Sequence, residues 1–209
     1  MLNIEHFISK YVTKRPESMF QADLYTHQSA LTKAIEDKSV LVIGGAGSIG
    51  SSYIKALLPF KPKTLVVVDI SENGLTELTR ELRSTSAFTV PTDYVTYPMN
   101  YADDTFVKMF KARGGFDIVA NFSAHKHVRS EKDKYSVEAL LKNNVVNAKK
   151  FLDLLCDYPP EHFFCVSTDK AANPVNIMGG SKKIMEDMIM AYAHKFPVTT
   201  ARFANVAFS

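Results

Sequence analysis

The chain has 209 residues, 46% hydrophobic and 22% charged, enough for one core of ordinary globular composition and too few for two full domains. Its formal net charge is +3, from 25 Lys and Arg against 22 Asp and Glu, and no basic run exceeds two residues, so it lacks the electrostatic footprint of a nucleic-acid binder. Cys156 and Cys165 form neither a CxxC pair nor a ligand cluster, no apolar run approaches the roughly 18 residues that span a bilayer, and Glu5 and His6 interrupt any signal-peptide core. These features point to a cytoplasmic protein without a structural metal, a disulfide framework or a membrane span.

In chain order, residues 1–38 stand apart as a helical N-terminal extension. Ile4, Phe7, Ile8 and Tyr11 recur at i, i+3, i+4, i+7, which places them on one face of a short helix ending before Pro16, and a second helix is predicted from about Leu24 to Glu36. The extension either packs on its own domain or serves as an oligomer contact. From Ser39 onward, short β-branched runs alternate six times with helical patterns. The strands read Ser39–Ile43, Thr64–Val68, Tyr94–Tyr97, Phe116–Asn121, Phe163–Ser167 and Val198–Phe203. The helices read Ile49–Leu58, Glu72–Arg83, Asp103–Ala112, Val137–Cys156 and Ile177–Lys195, the fourth with Ser136 as its N-cap. Such alternation predicts an α/β fold, a Rossmann-type doubly wound parallel sheet over residues 39–209.

The first strand runs straight into Gly44-Gly45-Ala46-Gly47-Ser48-Ile49-Gly50. Gly44, Gly47 and Gly50 fit GxxGxxG, and Gly45, Gly47 and Gly50 fit GxGxxG. Glycine suits a tight turn where a pyrophosphate must approach backbone N–H groups at the positive end of a helix. The second strand ends in Asp69, 19 residues past Gly50, near the spacing at which a carboxylate accepts both ribose hydroxyls of NAD. No arginine follows Asp69 to welcome a 2′-phosphate, so NAD is favoured over NADP. Asp69 has an alternative role as N-cap of the next helix, one that Ser71 could also fill.

Five blocks then follow the glycine loop in a fixed order: Asp69-Ile70-Ser71-Glu72, Ala124-His125-Lys126-His127-Val128, Lys142-Asn143-Asn144-Val145, Ser167-Thr168-Asp169-Lys170-Ala171-Ala172-Asn173-Pro174 and Arg202-Phe203-Ala204-Asn205-Val206. Together they resemble the nucleotide-sugar 4,6-dehydratases of polysaccharide biosynthesis, a branch of the extended short-chain dehydrogenase/reductase superfamily. The resemblance implies bound NAD and a UDP-linked amino sugar, most often UDP-N-acetylglucosamine. Carbon 4 is oxidised, water leaves across carbons 5 and 6, and the hydride returns to carbon 6. It further implies that Asp169 is the acid at the carbon 6 hydroxyl, that Lys170 is the base at carbon 5, and that Thr168 hydrogen-bonds the sugar near carbon 4. Lys170 acts as a base only if its pKa falls well below the free value of about 10.4.

By the same resemblance the loop residues Gly44, Gly47, Ser48, Ile49 and Gly50, with Asp69, Ser123, Ala124 and Lys182, hold the cofactor. Lys126, His127 and Asn205 face the sugar nucleotide, and Asn144 steadies the active-site backbone. Three positions depart from the pattern. Met178 stands where most of the superfamily has the tyrosine of Tyr-x-x-x-Lys, as in the retaining branch of the dehydratases; Asn121 and Phe122 are bulkier than the small residues expected beside the cofactor; Ala204 replaces a glycine. A nucleotide-sugar lobe is expected beyond residue 209, absent or incomplete here, together with a homodimer formed through the fourth and fifth helices. The alternatives are a nucleotide-sugar epimerase, a 5,6-dehydrating variant, or a non-catalytic NAD-binding sensor or scaffold.

Overall fold

Strands that are apolar at nearly every position need helices over both faces. The computed structural model describes residues 4–15, 17–124 and 131–206 and meets that need. Its strands are β1 (Ser39–Ile43), β2 (Thr64–Asp69), β3 (Asp93–Pro98), β4 (Ile118–Asn121), β5 (His162–Thr168) and β6 (Val198–Phe203). They pair in parallel throughout, in the order β3-β2-β1-β4-β5-β6. The order reverses between β1 and β4, and open sheets of this kind hold ligands in the crevice outside the carboxyl ends at that point.

The helices are α1 (Ile4–Phe7), α2 (Gln21–Thr26), α3 (Gln28–Ile35), α4 (Ser48–Leu57), α5 (Glu72–Ser84), α6 (Asp104–Ala112), α7 (Lys134–Leu141), α8 (Ala148–Asp157) and α9 (Ile177–Ala191). Alternate residues of each strand point to opposite faces. Val40, Val42, Leu65 and Val67 pack with Ile54, Leu57, Leu75 and Leu78 of α4 and α5. Leu41, Ile43, Val66 and Val68 pack on the other face with Phe106, Phe110, Phe151, Leu155 and Met185 of α6, α8 and α9. These strand residues are at most 1% exposed, and each fully buried Val, Leu or Ile side chain contributes about 1.5–3 kcal/mol.

Several boundaries differ from the periodic reading, each for a local reason. β4 starts at Ile118 rather than Phe116, because Asp117 turns its carboxylate onto Ser39, accepting from its N–H at 2.8 Å and its hydroxyl at 2.7 Å. The predicted fourth helix starts three residues early. Asp133, not Ser136, is its N-cap, accepting the Ser136 N–H at 2.8 Å, and Ser136 answers from the third helical position by accepting the Asp133 N–H at 3.0 Å. That helix is also two helices, α7 and α8, joined by a π-helical turn over Lys142–Asn147 that buries Asn144 and Asn147. α9 ends at Ala191, and the chain continues through tighter turns in which Ala193 and Lys195 donate to carbonyls three residues back.

In the N-terminal segment the predicted helices appear in broken form. α1 widens into a π-helical turn at Ile8–Thr13, and the second helix is split at His27 into α2 and α3. None of the residues in that turn, in α2 or in α3 is buried. Phe7 and Tyr11 touch one another, with ring centroids 5.3 Å apart, and both remain exposed. Ile35 of α3 packs at the edge of the α4–α5 side of the core.

The edge strand β6 is tied to α9 by one ion pair. Arg202 donates from Nε to Glu186 Oε1 at 2.9 Å and from Nη2 to Oε2 at 2.6 Å, with the Glu186 side chain 8% exposed and that of Arg202 44% exposed. The guanidinium, and more weakly the nearby Ser167 hydroxyl, hold the Glu186 carboxyl below its usual value. A carboxyl depressed in the folded state adds stability above its unfolded value, near 4.5, and that contribution is lost as pH falls through the folded value. Glu186→Gln is therefore expected to destabilise the protein at pH 7 by about 1 kcal/mol, a modest figure because the arginine end is open to water. The difference from wild type should shrink below pH 4, as read by urea unfolding at both pH values.

Candidate active site

The site begins where β1 ends. Gly44 has φ +74°, and a Cβ there would lie 2.7 Å from the Ser123 backbone nitrogen; on Gly50 it would lie 2.3 Å from the Gly44 carbonyl oxygen. The chain's own packing thus requires both glycines. Gly47 is different: a Cβ there would meet only the Gly44 oxygen, at an ordinary 3.5 Å. Gly47 is also the N-cap of α4 and brings no capping side chain. Its bare backbone leaves a cradle at the positive end of a ten-residue helix, which suits the close approach of a pyrophosphate.

On the β2 side of this loop, Asp69 Oδ2 accepts the Ala46 N–H at 3.0 Å and Oδ1 accepts the Ser71 N–H at 3.0 Å. The capping role for α5 falls to Ser71, whose hydroxyl accepts the Gly74 N–H at 3.1 Å. Asp69 is therefore held against the glycine loop, on the wall of a hollow of about 260 Å³. Ser123, Ala124, Met99, Asn100 and Tyr101 also line it, and among the described residues no arginine does. The sequence reading missed the contribution of Met99, Asn100 and Tyr101, although they follow directly on β3 at the same carboxyl edge. Tyr101 donates its hydroxyl to the Asn143 carbonyl at 3.0 Å, and burial pushes its phenol well above the ordinary value.

On the β5 side a second cleft of about 300 Å³ opens, sharing Gly44, Gly47, Phe122 and Ala124 with the first. It brings together Ser48, Ile49 and Gly50 with Thr168, Lys170, Met178, Lys182 and Asn205. Two hollows meeting along a glycine loop have the form of a dinucleotide groove. The bulky Phe122 does not fill it alone: its ring packs on Tyr53 and Phe164, with centroids 5.1 and 5.5 Å away. Asn121 fixes Ser123, its Oδ1 accepting from both the backbone and the hydroxyl of that residue at 2.9 and 2.6 Å.

Asp169 is not part of the cleft wall. It touches the cleft through its neighbours: Thr168 Oγ1 donates to Asp169 Oδ1 at 2.8 Å, and Lys170 Nζ donates to the same oxygen at 3.1 Å. The Thr168 hydroxyl, with the Lys170 ammonium after it, holds the Asp169 carboxyl below the usual carboxylate range. This differs from the resting state that an acid requires, since Asp169 is ionised at neutral pH. Lys170 Nζ also donates to Asn205 Oδ1 at 3.2 Å.

Lys182 is only 3% exposed. Its ammonium donates to the Val166 carbonyl at 2.8 Å and lies 3.4 Å from Met185 Sδ, and burial pulls its pKa down. Met178, 1% exposed, lines the cleft one turn earlier on α9. The first turn of α9 is braced from outside. Glu131 Oε1 accepts the Met178 N–H at 2.6 Å, and Asn144 Nδ2 donates to Ser181 Oγ at 3.1 Å, whose own hydroxyl donates to the Met178 carbonyl at 2.7 Å. The sequence reading did not single out Ser167. Its buried hydroxyl lies near Glu186 without a hydrogen bond of normal length, at the wall of the cleft. Lys126 and His127 lie outside the described residues. Among those described, no group of three or more His, Cys, Asp or Glu side chains is gathered as a metal site, and no helix is long and apolar enough to cross a membrane.

Residues 40–209 match a family described as polysaccharide biosynthesis protein. The uncharacterized membrane protein MJ1061 of Methanocaldococcus jannaschii is 38% identical over 176 residues, 82% of this chain and 50% of that relative. A UDP-N-acetylglucosamine 4,6-dehydratase (inverting) of Campylobacter jejuni is 28% identical over 155 residues, 74% of this chain and 43% of the relative. Among solved structures, Pen from Bacillus thuringiensis superposes with a TM-score of 0.71 at 26% identity, covering 83% of this chain and 52% of its own. Other matches include proteins named UDP-glucose 4-epimerase and a solved neighbour in complex with NAD+. The chain spans about half the length of MJ1061 and of Pen.

Gly47 separates the needs of the fold from those of a ligand. Gly47→Ala is expected to change stability by no more than about 1 kcal/mol, while dinucleotide affinity falls at least about tenfold because a methyl group occupies the cradle. Gly50→Ala should lower both, because its Cβ meets backbone. Thermal unfolding and NADH fluorescence titration of the two variants measure the contrast.

Proposed function

Since the chain belongs to the polysaccharide biosynthesis protein family, we propose that it carries the dinucleotide half and the acid–base residues of a nucleotide-sugar 4,6-dehydratase acting on a UDP-N-acetylhexosamine. The observation that carries this reading is the contact chain Thr168–Asp169–Lys170, in which Thr168 and Lys170 line the cleft and the Asp169 carboxylate accepts a hydrogen bond from each. NAD, when bound, supplies the hydride acceptor at carbon 4 and returns the hydride at carbon 6. Gly47 and the α4 N-terminus would hold its pyrophosphate, Asp69 its adenosine ribose, and Lys182 its nicotinamide ribose.

The resting ionisation of Asp169 gives the proton transfers an order. As carbon 4 is oxidised, its hydroxyl proton passes to Thr168 while Thr168 passes its own to Asp169. Asp169, now protonated, supplies the proton with which the carbon 6 hydroxyl departs as water, again by way of the Thr168 side of the cleft. Lys170, in its neutral form, takes the proton from carbon 5 and returns it there after hydride reaches carbon 6. Both side chains end as they began, and the proton lost from the carbon 4 oxygen leaves in the water. No phenol is needed in this cycle, so a methionine at position 178 is compatible with it; an epimerase, which needs a proton acceptor at the carbon 4 oxygen without the elimination, has less use for the pair.

The test is incubation of the full-length protein with UDP-N-acetylglucosamine and NAD in deuterated water. Loss of one water with deuterium at carbon 5 is expected, and Lys170→Ala should lower the rate by at least about a hundredfold. Thr168→Val should stop oxidation of the substrate yet still exchange deuterium into carbon 5 of the 4-keto product, because that exchange uses Lys170 alone. Bound dinucleotide without turnover of any UDP-hexosamine would replace this reading with that of a non-catalytic NAD-binding protein.

The same reading includes a homodimer. Leu141 and Val146, at and just after the end of α7, and Ile184 and Met190, on α9, are apolar and exposed, the kind of surface that two copies cover by symmetry. Ile184→Asp is expected to shift the protein toward monomer in analytical ultracentrifugation while leaving its thermal unfolding nearly unchanged.

A further inference from the structure

The Lys170 amine is held by two elements. Asp169, its chain neighbour, accepts one hydrogen bond at 3.1 Å, and Asn205 Oδ1 accepts another at 3.2 Å. Asn205 stands just past β6, whose Phe203 pairs in register with Thr168 of β5. The register therefore fixes the span between residue 205 and the Asp169–Ala171 turn. The Lys170 side chain is 35% exposed, and a long side chain that open samples many rotamers unless a second contact fixes its tip.

Resting on the dehydration reading above, we propose that Asn205 is a positioning residue for Lys170: a neutral acceptor that fixes the amino group on the cleft wall without adding charge to it. The value of neutrality follows from what surrounds the amine. Asp169 on its own turn brings a negative charge, and the Lys182 ammonium on α9 lines the same cleft. The β6 side contributes the Asn205 amide and, four residues before Val206, the Arg202 guanidinium, which is engaged with Glu186. A carboxylate at position 205 would put Lys170 between two negative groups and favour the ammonium form, which cannot take a proton from carbon. A side chain without an acceptor would leave the amine tethered on one side only. The amide supplies direction and omits the charge.

This separates Asn205 from a residue that only touches the sugar nucleotide. In the full-length protein with side-chain-labelled lysine, the Lys170 resonance, assigned with Lys170→Arg, is titrated by NMR without any ligand. Asn205→Asp should bind the Lys170 proton about tenfold more tightly than wild type. Its kcat with UDP-N-acetylglucosamine should lose activity on the acid side at correspondingly higher pH and recover in alkaline buffer. Asn205→Ala should lower kcat about tenfold or more through lost orientation, with KM much less affected. Residue 205 is exposed, so both variants are expected to fold. If Asn205→Asp leaves the Lys170 titration in place and raises only KM, the positioning role is overturned and Asn205 is a ligand contact. The NMR titration needs no turnover, so a failure of the dehydration reading leaves this result standing by itself.

Discussion

Gly44 leaves β1 in a left-handed conformation and passes β4 so closely that a single added carbon would fall 2.7 Å from the Ser123 nitrogen. This approach joins the two central strands at their carboxyl ends and sets the start of α4, and with it the position of every backbone group that can meet a phosphate. The Asp69 carboxylate is then tied to the same loop by the Ala46 N–H. The β2 side and the β5 side thus share one seam, and two hollows built from distant parts of the chain meet along the same four residues.

Much of this was legible in the sequence, because it follows from short-range rules. A run such as Val40–Ile43 between turn signals reads as a buried strand, and glycines at its end read as a turn under steric constraint. All six strands lie within two residues of their predicted starts, and Ser71 rather than Asp69 caps α5, as one of the two readings allowed. What the sequence left open depends on choices between similar residues or on long-range geometry. Asp133 and Ser136 are both capping residues three positions apart, and only the reciprocal bonds between them decide which lies outside the helix. A π-helical turn has no simple periodic signal, so Val137–Cys156 read as one helix. The Glu186–Arg202 pair joins residues 16 apart on a helix and an edge strand, and nothing in spacing alone announces it.

The candidate site was legible in its members more than in its arrangement. Thr168, Lys170, Lys182 and Asn205 do line one cleft, but Asp169 is not on its wall and reaches it through two neighbours. A short stretch such as Thr168-Asp169-Lys170 at the end of a strand cannot present three successive side chains to the same side, because the strand alternates and the turn after it rotates the backbone. The middle residue is the one displaced. It keeps its carboxylate bonded to the Thr168 hydroxyl and the Lys170 amine, the two neighbours that do line the cleft.

α9 shows what holding such a site requires. Ser181, Lys182 and Glu186 are buried on a helix whose other inward residues, Met185 and Ile189, belong to the core. Buried polar groups without partners cost roughly 1–3 kcal/mol each, more when charged. The fold answers each one from a different element: Asn144 of the π-helical turn for Ser181, the Val166 carbonyl of β5 for Lys182, Arg202 of β6 for Glu186. The Ser167 hydroxyl is the one buried side-chain oxygen or nitrogen among the described residues with no hydrogen bond, and it lies on the wall of the cleft beside Thr168. Every other buried polar group of this network is answered within the fold, so the Ser167 hydroxyl marks the one point at which the network is left open, against the wall of the cleft and near the Glu186 carboxylate.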